Sequence, residues 1–137
     1  MTTVLTYGTF DLFHIGHLNL LKRARSYGDR LIVGVSTDSF NLLKGKKTII
    51  PYKDRAEIVR NIRYVDEVIP EENWEQKVSD IKNYAINTFI IGDDWQGKFD
   101  DLKSHCEVIY LPRTTGVSTT GLKDSLAFLV QIAKDLE

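Results

Sequence analysis

The chain has 137 residues, 42% hydrophobic and 27% charged, with 18 Lys+Arg against 19 Asp+Glu and a net charge of −1. That length supports one domain, residues 1–137, with a core of its own, and the balanced charge argues against a nucleic-acid-binding module. No apolar run approaches the roughly 20 residues of a membrane span, and the single cysteine, Cys106, excludes an intrachain disulfide.

The opening MTTVLTYG has neither a basic start nor an apolar h-region, so no signal peptide is expected and the cytoplasm is the expected location. Residues 3–8 (TVLTYG) read as a short buried strand closed by Gly8. Residues 17–28 (HLNLLKRARSYG) read as an amphipathic helix, with Leu20, Leu21, Ala24 and Tyr27 on one face and Gly28 just past its end. Residues 29–37 form a second strand, followed by a short helical turn and a basic loop to Ile50. Pro51 marks a boundary, and residues 52–63 form the next helix. Residues 65–70 (VDEVIP) are a third strand, stopped by Pro70, and residues 73–85 a helix capped by Asn73. A fourth strand ends at Gly92 and a fifth is stopped by Pro112. A terminal helix then opens on a Ser/Thr cluster at residue 118.

Strands alternating with helices predict an α/β fold: a Rossmann-like, doubly wound, parallel five-stranded sheet with helices on both faces. Such sheets bind ligands beyond the carboxyl ends of their strands. Residues 8–17, 36–47, 92–95 and 113–120 fall there.

In GTFDLFHIGH, residues 8–17, His14 and His17 flank Gly16. A zinc site needs a third and usually a fourth ligand. The only other His or Cys residues are His105 and Cys106, at no ligand spacing, so no protein metal site is expected. A buried, hydrogen-bonded histidine is the plain structural alternative. The phosphate reading has a mechanism: a helix N-terminus offers free N–H groups and a positive dipole end, and Gly16 lets the backbone approach an anion. Imidazole N–H groups then stabilise charge on a phosphoryl group in transfer. The turn fits neither GxGxxG nor the P-loop.

GTFDLFHIGH resembles the signature of the cytidylyltransferase branch of the HxGH nucleotidyltransferases. RTTGVSTT, residues 113–120, is similar to that family's R-T-x-G-[IV]-S-T-[ST] motif, and RYVDEVI, residues 63–69, to a third segment. The three follow in order over essentially the whole chain. Ile15 stands where many members carry tryptophan, a slot that varies. The likeness is greatest to small single-domain members that use glycerol 3-phosphate. It implies transfer of a cytidylyl group from CTP to sn-glycerol 3-phosphate, giving CDP-glycerol and pyrophosphate. It further implies Mg2+ accompanying the CTP without a dedicated protein cage, a homodimer with residues 63–70 as contact segment, and a cytoplasmic role in teichoic acid synthesis. No membrane or nucleic-acid partner is expected.

Residue chemistry and resemblance together define the candidate site. Arg113 follows the fifth strand, where a cation meets a triphosphate. Gly116 allows a tight turn. Ser118, Thr119 and Thr120 offer hydroxyls and N–H groups at a helix start, or are a plain N-cap cluster. The resemblance extends the nucleotide site to Thr9, Phe10, Arg55, Gly92, Thr114, Thr115 and Val117. It sets Lys46 on CTP, and Lys44, Lys77 and Arg63 on the acceptor side, Arg63 supporting the site or the dimer. Taken alone, these lysines and arginines also suit a solvated surface. Asp94 accepts ribose hydroxyls and Trp95 packs by the base, or the two cap a helix and fill the core. Asp11 holds the turn or approaches the acceptor. Three readings stay open beside the first: another phospho-alcohol acceptor such as phosphocholine or phosphoethanolamine, adenylyl transfer, or a non-catalytic nucleotide-binding regulatory module.

Overall fold

The computed structural model describes residues 1–136. Its strands are β1 (Thr3–Gly8), β2 (Arg30–Ser36), β3 (Glu67–Glu71), β4 (Thr88–Gly92) and β5 (Glu107–Leu111). They form one all-parallel sheet in the order β3-β2-β1-β4-β5. The helices are α1 (Ile15–Arg25), α2 (Asp38–Leu43), α3 (Tyr52–Arg60), α4 (Gln76–Asn83) and α5 (Thr119–Asp135). Short 3-10 turns lie at Asp93–Trp95 and Asp100–Ser104. This is the expected Rossmann-like α/β sheet. From β1 the chain winds outward through β2 to β3, then returns to the other side of β1 as β4. The β1/β4 boundary is the topological switch point, where such sheets bind ligands.

Alternation along the strands supplies two cores. Val4, Val33, Val35 and Ile90 face Leu21 and Ala24 of α1 and Val59 of α3. Leu5, Ile32, Phe89 and Ile91 face Ile81 of α4 and Leu102. Both faces of the sheet are covered, as parallel sheets require.

Several boundaries differ from the pattern. α1 starts at Ile15, because His14 rather than a later residue supplies its N-cap, and it ends before Tyr27, which is exposed. β3 runs through Pro70 to Glu71. It pairs only with β2, and a proline on an edge strand forfeits no needed ladder bond. Asn73 does not cap α4. Instead Gln76 folds back, its Oε1 accepting the N–H groups of Glu72 and Asn73. α5 buries no residue; Leu122, Leu126, Leu129 and Ile132 stay 37%, 48%, 59% and 40% exposed.

Candidate active site

The carboxyl ends of all five strands open into one cleft of about 440 Å3, lined among others by Gly8, Ser36, Glu71, Gly92 and Leu111. That is the size of a small-molecule site. The turn after β1 forms its floor and is strained: Phe10 and Leu12 sit at φ 56° and 49°, in the left-handed region that non-glycine residues rarely adopt. Asp11 lies between them, 2% exposed. Its carboxylate accepts the N–H groups of Ile49 (2.8 Å) and Ile50 (2.9 Å) and pairs with Lys123 of α5 at 2.9 Å. Burial works to raise its pKa, but Lys123 and the two N–H donors outweigh that and hold it below its ordinary value. Of the two readings of Asp11, the structure supports the first. Both carboxylate oxygens are engaged within the chain: Asp11, which also lines the cleft, fastens the strained turn to the 45–51 loop and to α5.

His14 caps α1, its Nδ1 accepting the Gly16 N–H at 3.0 Å. His17 reaches back, its Nδ1 accepting the His14 N–H at 3.2 Å. This is the reciprocal logic of a capping box, built from histidines. The rings stack with centroids 3.9 Å apart. Gly16 is required by packing: a Cβ there would lie 2.8 Å from the His14 ring. With each Nδ1 accepting, the hydrogen-bond pattern assigns the ring proton of both residues to Nε2. The two Nε2 atoms converge on Thr119 Oγ1, at 3.3 and 3.4 Å. Thr119 in turn donates to the Asp11 carbonyl at 2.9 Å. The two motifs, 102 and more residues apart, thus close on one point.

Both histidines are held neutral. Burial lowers the His14 pKa, and burial against Phe10 and Phe13, then the adjacent His14, lowers that of His17 to about 4, with Asp11 opposing. An unfolded His17 titrates near 6.5, so between pH 6.5 and about 4 the unfolded chain binds a proton that the folded ring refuses. The corresponding stability is complete above pH 6.5 and lost as pH falls through that window. Thermal melts from neutral pH down to pH 4 are expected to fall more steeply for the wild type than for His17→Asn. Equal slopes would show that folded His17 titrates like a free imidazole.

On the β2/β3 side, Ser36, Lys44, Glu71 and Lys77 form a chain. Lys77, 4% exposed, pairs with Glu71 Oε2 at 3.1 Å. Ser36 donates its hydroxyl to Glu71 Oε1 at 2.5 Å and accepts from Lys44 Nζ at 3.2 Å. Burial lowers the Lys44 pKa to about 8, with Lys46, Lys77 and Arg55 adding to the effect and Glu71 opposing it. Lys46 lines the cleft from the exposed loop. On the β4/β5 side, Arg113 pairs with Asp94 at 3.4 Å, both exposed and both lining the cleft. Thr114 accepts from Asn19 of α1 at 3.2 Å, and Ser118 caps α5 by accepting the Gly121 N–H. Thr9, Phe10, Gly16, Gly92, Val117, Thr119 and Thr120 also line the cleft.

Four expected residues fall elsewhere. Thr115 and Gly116 line only an adjoining groove, Gly116 at φ 84°. Arg55 is 0% exposed and holds carbonyls and Asp38 beneath the site, so it presents no group to a nucleotide. Arg63 is exposed in the turn before β3, at the amino end of the sheet and away from the cleft. Glu71, Ser36, Trp74 and Lys123 were missed. The segment after the third strand is subject to the same carboxyl-end rule, and applying it to residues 71–77 would have found Glu71 and Trp74. Among the described residues no three His, Cys, Asp or Glu side chains gather as metal ligands.

A parallel sheet that directs a neutral histidine pair and a Ser/Thr helix start into one cleft at its switch point defines a nucleotidyltransferase-type protein. A family model described as cytidylyltransferase-like matches residues 5–135, and the chain belongs to that family. Glycerol-3-phosphate cytidylyltransferase of Bacillus spizizenii is 62% identical over 129 residues, covering 94% of this chain and all of that one. Its namesake in Staphylococcus aureus is 53% identical, covering 92% and 96%. The lipopolysaccharide core biosynthesis protein from Thermoplasma volcanium superposes with a TM-score of 0.70 at 23% identity, over 83% of this chain and 98% of that one, a likeness of fold.

Proposed function

We propose that the chain transfers the cytidylyl group of CTP to glycerol 3-phosphate, giving CDP-glycerol and pyrophosphate. The observation that carries the chemistry is the convergence of two Nε2–H groups beside the N-terminus of a 17-residue helix. The acceptor is supported by full-length similarity to glycerol-3-phosphate cytidylyltransferases.

A phosphate oxygen of the acceptor attacks the α-phosphorus. A new P–O bond forms, the bond from the α-phosphorus to the bridging oxygen breaks, and pyrophosphate leaves with that electron pair. The nucleophile is already an anion, so no proton need be removed. What the protein supplies is position and charge. His14 and His17 donate to the α-phosphate oxygens as charge grows there, at no cost in protonation because both are neutral donors. Arg113, freed from Asp94, and the residues 118–120 helix start take the β- and γ-phosphates. Lys44 and Lys46 offset repulsion between the two anions, and Lys77 faces the acceptor. Asp94 is then available to the ribose. Among the described residues no carboxylate cage gathers, so Mg2+ belongs to this reading only as the triphosphate's own counter-ion, which would offset phosphate charge.

Pyrophosphate release tests the reaction. CTP with glycerol 3-phosphate should exceed CTP with phosphocholine, and ATP with either acceptor, by about 10²-fold or more in kcat/KM. CTP binding without turnover would overturn the reaction; equal rates with phosphocholine would overturn the choice of acceptor.

The same reading places the protein in the cytoplasm, where CTP is made, as a source of CDP-glycerol for teichoic acid synthesis. No helix among the described residues is long and apolar enough to cross a membrane. A homodimer belongs to it too, supported by the apolar seam that α5 leaves uncovered at Leu122, Leu126, Leu129 and Ile132. Sedimentation at micromolar protein should give a dimer; monomer alone would remove it.

A further inference from the structure

The aromatic rings along the cleft, from β1 (Tyr7), α2 (Phe40), the segment after β3 (Trp74) and the segment after β4 (Trp95 and Phe99), are already faced by the chain's own ammonium groups. Lys77 Nζ lies 4.7 Å from the Tyr7 ring centre, 5.0 Å from Trp74 and 5.4 Å from Phe99. Lys44 Nζ lies 4.4 Å from Phe40 and 5.7 Å from Trp74, and Lys98 lies 5.5 Å from Trp95. All these separations are within the roughly 6 Å reach of a cation–π contact. Three rings around one point are the usual receptor for a quaternary ammonium. Here the point is filled from within, by a lysine 4% exposed and paired with a glutamate 4% exposed. A buried ion pair adds little over well-packed apolar residues, so stability alone does not account for it.

We propose that the Glu71–Lys77 pair, seated among Tyr7, Trp74 and Phe99, determines acceptor specificity: it admits phosphates of uncharged polyols and rejects those whose far end is a cation. The inference rests on the reaction proposed above and says which acceptors the site refuses. Two effects act together. The point shared by the Tyr7, Trp74 and Phe99 rings is taken by Lys77 Nζ, so a trimethylammonium head finds no free three-ring cage. Lys44 and Lys77 attract a phosphate and repel a second cation. Glu71 cannot serve as counter-ion to such a head, because Ser36 and Lys77 engage its two oxygens.

The test measures kcat/KM with glycerol 3-phosphate and with phosphocholine for the wild type, Lys77→Met, and Glu71→Gln/Lys77→Met. The double variant removes both charges and strands no buried carboxylate. Thermal melts and calorimetric CTP binding report the fold. In the double variant the phosphocholine to glycerol 3-phosphate ratio should rise about tenfold or more, through a lower phosphocholine KM. Loss of both acceptors in equal measure, with CTP binding intact, overturns the inference and leaves the reaction standing. A wild type that uses phosphocholine as well as glycerol 3-phosphate likewise overturns the inference, whereas a wild type that binds CTP but turns over neither acceptor overturns the reaction itself. A further measurement needs no variant: tetramethylammonium titrated into the wild type should give no saturable change in tryptophan fluorescence. A saturable change would reveal a free cage face and sink the proposal.

Discussion

His17→Ala is expected to lower kcat by about 10²–10³-fold, the usual effect of removing one donor to developing charge. The ring is also part of the helix cap, since its Nδ1 accepts the His14 N–H. Alanine therefore carries a second cost of about 1 kcal/mol in stability. His14→Asn separates the two effects. Asparagine is a good N-cap and keeps an acceptor for the Gly16 N–H, but it is too short to place a donor where Nε2 meets Thr119. That variant should melt close to the wild type while turnover falls about 10²-fold. Stopped assays of pyrophosphate release, with melts in parallel, decide it. Near-normal turnover in His14→Asn would confine His14 to the cap. A pH profile adds an independent check: His17, with its pKa lowered to about 4, adds no rise in rate as pH falls through 6.5, where protonation of the acceptor phosphate at about pH 6 only lowers the rate. A rate that climbed with protonation of an imidazole near pH 6.5 would mean that the charged ring is the active form.

The histidine pair was legible because its residues are rare, close together and placed after an apolar run that could only be a buried strand. The sheet was legible for the same reason: Leu31, Ile32 and Val33 alternate between two cores with no polar break, as a parallel strand covered on both faces requires. What the sequence could not show were pairings set by long loops. Asp11 had two readings because its partners, Ile49 and Ile50, lie 38 and 39 positions away. Glu71 was hidden behind Pro70. A proline is a strong stop signal until the strand is known to lie at the sheet's edge. Thr119 read as one of three helix-start hydroxyls, yet its bonds to Asp11 and both imidazoles join the two motifs. Spacing along one helix cannot reveal that.

Arg55 is the largest departure from sequence reading and leads to the largest expected loss of stability. A helix arginine in a polar stretch reads as surface charge or as a hand for the nucleotide. Instead it faces inward, next to Ala56 and in line with Val59 on the buried stripe of α3. Its Nε donates to the Ile50 carbonyl at 2.8 Å, one terminal nitrogen to both the Thr9 and Ser36 carbonyls at 2.7 Å, and the other to Asp38 at 2.8 Å. One planar fork thereby joins the turn after β1, the end of β2 and the loop that Asp11 also holds. Arg55→Met keeps the bulk and removes every donor. One buried carbonyl, that of Ser36, and two part-buried ones, those of Thr9 and Ile50, then lose their partner, at about 1–3 kcal/mol for the first and less for the others before relaxation. Asp38 is half exposed and adds little. Allowing for relaxation, a net loss of about 3–5 kcal/mol is expected, a large fraction of a domain's 5–15. The melting midpoint should fall by roughly 10–20 °C. Arg55→Lys should recover only a minor part, because a single ammonium cannot span acceptors set for a fork. The measurement discriminates cleanly. A residue that merely contacted CTP would leave the melt unchanged in Arg55→Lys and raise the KM for CTP, so an unshifted midpoint with a raised KM would return Arg55 to the nucleotide site.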